Sequence, residues 1–252
     1  MKVLIVNAHP EPASLTSSLK DLAVTFLERA GHEVRVSDLH AMDWRAAIEA
    51  EDFGTSANSP LAIVTDSGDA YEGGTLAPEI AAEQAKLDWA DTVILNFPLW
   101  WFHLPAIMKG WVDRVFTFKY AYGRGEGNSI RYGAGVFAGK RAMLSVMVGG
   151  GPHHYSERGI NGELMDLLFP IHHGILYFPG FDVLPPFVVH DTVRMTDERF
   201  AEVAADWEKR LLELDTIAPI PFRPQAGGDY ERHELKEGVE REGTRGLRLH
   251  VA

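Results

Sequence analysis

The chain of 252 residues contains no cysteine. That excludes disulfides, thiolate nucleophiles, iron–sulfur clusters and cysteine-based zinc sites together, so any redox chemistry must belong to a bound cofactor. Positive charge is scarce as well: 24 Lys+Arg stand against 36 Asp+Glu, a formal charge of −12. This is the wrong sign for neutralising nucleic-acid phosphates or an anionic membrane surface, and no nucleic acid is expected as a partner. Long apolar runs are missing too. The longest, Met1 to Ala8 and Val93 to Phe102, fall short of the ~20 residues of a membrane-spanning helix, so no membrane insertion is expected. The N-terminus enters a β-branched run after one Lys, without the features of a secretory signal, which points to a cytoplasmic protein.

What is present reads as one α/β domain with embellishments. Lys2 to Ala8 is a continuous apolar strand of the kind buried on both faces of a parallel sheet. Leu15 to Ala30 follows with helical spacing of Leu15, Leu19, Leu22, Phe26 and Leu27, and Gly31 suits the position just past its end. A second strand is expected over His32 to Ser37, a helix from about Ala77 to Trp89, and a strand over Thr92 to Phe97. Then come a helix from Pro105 to Phe116, a strand over Arg141 to Val148, a helix near Gly162 to Phe169, and a strand over Val183 to His190. The last helix, Asp197 to Leu214, has Thr196 as its N-cap and a stripe of Phe200, Val203, Ala204, Trp207, Leu211 and Leu212. Such alternation predicts a doubly wound, five-stranded parallel sheet with helices on both faces.

Three stretches exceed that plan: Leu39 to Thr75, the glycine-rich Ala121 to Gly139, and the charged tail Ala218 to Ala252. Functional loops and dimer contacts suit all of them, and partial disorder suits the tail equally well. We divide the chain into a domain over 1–217 and an extension over 218–252.

Ligands of open parallel sheets sit beyond the carboxyl ends of the strands, which directs attention to three loops. The first, Asn7 to Ser18, lacks a Gly-x-Gly-x-x-Gly fingerprint but offers Ser14, Thr16, Ser17 and Ser18 at the positive end of a helix. These can hold a phosphate or serve as ordinary caps. His9 either donates to a phosphate or simply finishes the strand. The second, Phe97 to Pro105, sets Trp100, Trp101 and Phe102 between prolines, which suits a flat ring system. Ile107, Trp111 and Phe116 belong to the core beneath the next helix, but two adjacent tryptophans cannot both enter one core. The third, Val148 to Tyr155, carries Gly149, Gly150 and Gly151, which permit close backbone approach and positive φ or form a generic turn; Tyr155 can donate a hydrogen bond.

Phe97 to Phe102, Pro105 to Phe116, the triple glycine with Tyr155, Gly159-Ile-Asn-Gly162 and Gly174 to Phe181 together resemble the NAD(P)H:quinone oxidoreductases of the flavodoxin-like fold. The likeness runs from Val3 to about Leu212 and fades in the tail. It implies a homodimer with two sites at the interface, each holding FAD and passing a hydride from NAD(P)H to a quinone by a ping-pong mechanism. It assigns His9, Ser14, Leu15 and Thr16 to the diphosphate, and Pro98, Leu99, Trp100, Trp101 and Phe102 to the isoalloxazine. Gly149, Gly150 and Tyr155 fall on its pyrimidine side.

Asn161 stands where the family pattern has a histidine that balances charge on the reduced flavin, and an amide cannot become a cation. His103, His153 or His154 is the expected substitute. Around Ala62 the adenine-side contacts do not align residue by residue, so FMN remains an alternative to FAD. The same flavin site suits an azo or nitroaromatic reductase, and some relatives are ancillary regulatory subunits of potassium-efflux transporters. Arg124 and Arg131 read as solvated loop charges before they read as contacts to a ribose phosphate. His153-His154 and His172-His173 are adjacent pairs that do not converge on one ion, so no metal is expected.

Overall fold

A computed structural model describes residues 1–125 and 130–252. The part of the glycine-rich expectation at 126–129 therefore lies outside the described residues. The chain runs β1 (Lys2–Asn7), α1 (Leu15–Arg29), β2 (Glu33–Asp38), α2 (Ile63–Gly73), α3 (Pro78–Trp89), β3 (Thr92–Pro98), α4 (Ala106–Val115), β4 (Arg141–Met147) and α5 (Leu164–Phe169). It continues through β5 (Asp182–Val183), β6 (Phe187–Val189) and α6 (Asp197–Leu212) to the short antiparallel pair β7 (Tyr230–Glu231) and β8 (Glu234–Leu235). The main sheet is parallel in the order β2-β1-β3-β4-β5, with β6 also pairing with β4.

The central strands show why continuous apolar runs belong to a two-faced sheet. Side chains alternate across a strand, so Val3, Ile5, Ile94 and Met143 pack with Leu19, Ala23 and Leu27 of α1 and Trp207 and Leu211 of α6. Leu4, Val6, Val93, Leu95 and Leu144 face the other way, onto Ile80, Leu87, Met108 and Trp111 of α3 and α4. The indole N–H of Trp207 donates to the Leu19 carbonyl at 2.9 Å, fastening α6 to α1.

Several expectations need correction. The fifth strand is not continuous from Val183 to His190: Pro185-Pro186 split it into β5 and β6, because proline has no N–H for the ladder. The helix expected to end at Phe169 continues through Pro170–Tyr177 with π-type turns. Leu212 is not part of the α6 stripe; it is exposed, and Leu214 is buried in its place. Thr196 does cap α6, accepting from the Arg199 amide.

Leu39 to Thr75 is structured. Arg114 of α4, fully buried, donates to both carboxylate oxygens of buried Asp52 at 2.7 and 3.1 Å and to Glu79 at 2.7 Å, and stacks over the Trp44 ring. Burial alone would raise the Asp52 pKa, but the Arg114 hydrogen bonds and charge hold it below the usual carboxylate range. A side chain at Gly110 would lie 2.2 Å from the Ala46 carbonyl oxygen, so the insertion backbone rests directly on α4. The tail also docks: Phe222 joins the core and bridges to Val251, while Arg223, 7% exposed, donates to the carbonyls of Leu249 and Val239 and to Asp229.

Candidate active site

β1, β3 and β4 are neighbours, so the loops that leave their carboxyl ends lie side by side. Their register sets Asp38, Asn7, Asn96 and Ser145 in one row across four strands. Asn96 Nδ2 donates to Asn7 Oδ1 and to the Thr16 carbonyl, both at 2.8 Å, and Asn7 Nδ2 donates to Asp38 at 3.1 Å. This buried amide pair ties the first turn of α1 to the sheet. Sequence reasoning missed Asn96; the signal was an amide in the otherwise apolar Val93 to Phe97, where a buried polar side chain needs a partner.

The first loop has the character its sequence suggested. Ser14 is the N-cap of α1, its Oγ accepting from the Ser17 amide at 3.2 Å. The amides of Leu15 and Thr16, at the helix start where no intrahelical acceptor exists, have no partner among the described residues. His9 Nδ1 accepts from the Glu11 amide at 3.0 Å, which leaves Nε2–H as the donor of the neutral ring. The His9 ring lies 5.8 Å from that of Trp100 and so joins the first loop to the second.

In the second loop Pro98 is buried and Leu99 half-buried, with the Leu99 amide bonded to the Met147 carbonyl at 2.9 Å. Trp100 and Phe102 are each 44% exposed, and Trp101 is 94% exposed. Neither tryptophan enters the core, whereas Trp111 beneath them is fully buried and Ile107 and Phe116 pack at its margin. Trp101 and Phe102 have φ of 50° and 60°, a left-handed pair that bulky residues rarely adopt. His103 closes the loop through its amide to the Trp100 carbonyl. Its ring is held below the ordinary histidine pKa by burial and by the charge of Lys109.

The triple glycine departs from expectation in its backbone: none of Gly149, Gly150 and Gly151 has a positive φ. Space is what these positions need. A Cβ at Gly150 would lie 2.9 Å from His154 Nδ1 and 3.2 Å from the Tyr155 ring, and one at Gly151 would lie 2.9 Å from His153. Gly149 meets only Val193, at 3.8 Å, and is otherwise open. The segment after Tyr155 folds back so that the Asn161 amide donates to the His154 carbonyl at 3.1 Å. Of the three histidines, His154 is thus the one that stands against both Gly150 and Asn161. His190, whose ring lies 5.9 Å from Tyr155, was not anticipated; its burial lowers its pKa, and Nδ1 has no hydrogen-bond partner among the described residues.

Unpaired amides at a helix start, a half-exposed aromatic wall and an open glycine edge form a donor set and shape that fit a flat ring carrying a phosphate or diphosphate. Arg124 is bonded to the Lys119 carbonyl and the Tyr71 hydroxyl. Cavities of about 360 and 330 Å³ lie elsewhere, under the tail, the first lined by Tyr132, Phe169, His173 and Tyr230.

A family model described as flavodoxin-like fold matches residues 1–211. The chain is 50% identical over 235 residues to a ribosyldihydronicotinamide dehydrogenase-like protein of Penicillium crustosum, covering 91% of this chain and 87% of that one. It is 38% identical over 227 residues to NAD(P)H dehydrogenase [quinone] 1 of Cavia porcellus, covering 89% and 81%. A crystal structure from Klebsiella pneumoniae, described provisionally as a quinone reductase, superposes with a TM-score of 0.96 at 50% identity over the whole of both chains.

Proposed function

This chain belongs to the flavodoxin-like family, among relatives named NAD(P)H quinone dehydrogenases, and from that premise we propose that it is an oxidoreductase using NAD(P)H to reduce quinones through FAD. Three observations carry the proposal: the exposed aromatics Trp100 to Phe102, the open edge at Gly149, and the unpartnered Leu15 and Thr16 amides, all on loops leaving the carboxyl ends of neighbouring strands. A bound flavin would supply the two-electron carrier between donor and acceptor.

The residues divide the remaining work. The amides of Leu15 and Thr16, with His9 Nε2–H and the Ser14 hydroxyl, hold the diphosphate at the positive helix end. Pro98, Leu99, Trp100, Trp101 and Phe102 line the ring and exclude water. The Gly149 and Gly150 backbone, Tyr155 and the Asn161 side-chain amide offer hydrogen bonds on the pyrimidine side, where negative charge is best stabilised by fixed donors. His154 takes the place of the absent family histidine; His103 suits it less, because burial and Lys109 disfavour its cation. One open face serves donor and acceptor in turn, which makes the kinetics ping-pong. Trp101, Ile160 at 92% exposure and Val193 at 79% stand around the mouth on separate loops, and a second copy of the chain would cover them in a homodimer. In this reading residues 1–217 form the catalytic unit and 218–252 an extension.

Absorption spectroscopy of the purified protein, with mass spectrometry of what denaturation releases, tests the cofactor: FAD is expected, FMN would correct its identity, and no flavin would overturn the reading. Turnover is then compared with NADH, NADPH and a dihydronicotinamide riboside as donors, against a benzoquinone and an azo dye as acceptors. Quinone turnover is expected to dominate. Turnover of the azo dye alone would reassign the acceptor, and no turnover at all would favour a regulatory subunit. His154→Ala should slow reduction by the donor, and His103→Ala should not.

A further inference from the structure

The loop that carries Tyr155 and Asn161 is bracketed by a cation from the other end of the chain. Arg248 Nη1 pairs with Glu157 at 3.1 Å, Nε with Asp166 at 3.4 Å, and Nη2 with Glu163. Glu157 lies two residues beyond Tyr155, Glu163 two beyond Asn161, and Asp166 in the first turn of α5. One guanidinium therefore spans both ends of the segment. Its own position is fixed: it sits in the helical turn Gly246–His250, and the residues that follow it bond back to the Phe222 anchor. The Arg223 amide donates to the His250 carbonyl at 3.0 Å, Arg223 Nε donates to the Leu249 carbonyl at 3.0 Å, and the Ala252 amide donates to the Pro221 carbonyl at 2.8 Å. A continuous path runs from the core through Phe222 and the turn to the loop.

We propose that Arg248 is a positioning residue, a clamp by which the docked tail holds the Tyr155–Glu163 loop in place. The inference rests on the site proposed above. Without the guanidinium, Glu157, Glu163 and Asp166 would present three carboxylates to one another beside that site, and repulsion would open the loop. Single exposed pairs contribute little to stability, but here one planar donor engages three acceptors from two turns. Its effect should therefore fall on the loop's geometry more than on global stability.

The test measures amide hydrogen exchange and steady-state kinetics on the full-length protein, with Arg248→Gln, Arg248→Lys and, from the other side of the clamp, Glu157→Gln. Arg248→Gln should speed exchange at residues 156–163 about fivefold and raise KM for the quinone about fivefold, with kcat and flavin content near the parental values. Arg248→Lys should restore part of both, and Glu157→Gln should give a smaller change of the same sign. About 1 M NaCl should loosen the parental loop and, by screening the carboxylate repulsion, slow exchange in the Arg248→Gln loop, so that the two converge, since screening at that strength reaches within ~3 Å. Unchanged exchange in both the Arg248→Gln and the Glu157→Gln proteins overturns the clamp. Faster exchange with parental KM overturns positioning and leaves a structural contact. Exchange is read whether or not the protein turns over quinone, so failure of the clamp is distinguishable from failure of the proposed function.

Discussion

The insertion after β2 and the C-terminal tail both extend the minimal sheet, yet they are fastened by opposite means. The insertion is held by charge taken fully inside: Arg114 and Asp52 are both buried, and the pair is satisfied by Glu79, Arg45 and the Arg45 carbonyl. The tail is held by a single buried phenylalanine, Phe222, by Arg223, and by ring contacts to His173, which lies 5.1 Å from Phe222 and 5.7 Å from His250. The Arg248 pairs of the tail, by contrast, stay at the surface, where Arg248 is 44% exposed. The lesson is that a buried ion pair makes an element inseparable from the scaffold because neither charge can be left alone, whereas a surface clamp lets an element respond to its surroundings.

The largest expected effect breaks the first half of that contrast. Arg114→Ala leaves buried Asp52 with only the half-exposed Arg45 as a charged partner and should cost up to about 3–5 kcal/mol in denaturant unfolding. A loss under ~1 kcal/mol would mean that the insertion is not bound through this pair.

Acid should strike the tail side. Burial lowers His172 to about 3 and His173 to about 4, so both are neutral in the folded state and take up protons first on unfolding. Their contribution is complete above the unfolded value of ~6.5 and is lost as pH falls from there toward the folded values. By pH ~5.5 about 1–3 kcal/mol should be gone, and His172→Leu should remove part of that pH dependence. Both His172 nitrogens lack partners among the described residues, so the Leu variant should not be less stable at neutral pH.

The smallest stability effect belongs to neither region. Trp101→Ala, at a side chain 94% exposed, should alter unfolding by less than ~0.5 kcal/mol while lowering the flavin content of the purified protein. A large stability loss there would place Trp101 in the scaffold and not in the site.

Much of the sheet was legible because continuous apolar runs and helical stripes report burial directly. The ends of β1, α1, α3, β3 and α4 fall within a residue or two of their expected limits. What escaped depends on neighbours far along the chain. Pro185-Pro186 could be seen, but their placement beside β4 decides that they break the fifth strand. The docking of the tail rests on Phe222 meeting α5 and the π-type turns, which no local pattern encodes. In the candidate site, the Ser14 cap and the exposed aromatic loop were readable from residue type. The Asn7–Asn96 pair was not, since it exists only through the β1–β3 register, and the triple glycine serves by its missing side chains instead of by unusual torsions.

Trp101 and Phe102 sit in a left-handed conformation that costs each of them about 1–2 kcal/mol. Proline and strand hold the loop from both ends, so this cost is confined to one tight bend. A peptide rotation there would release that local cost and swing the indole. The aromatic wall is in that sense a sprung latch, with its tension stored at the hinge.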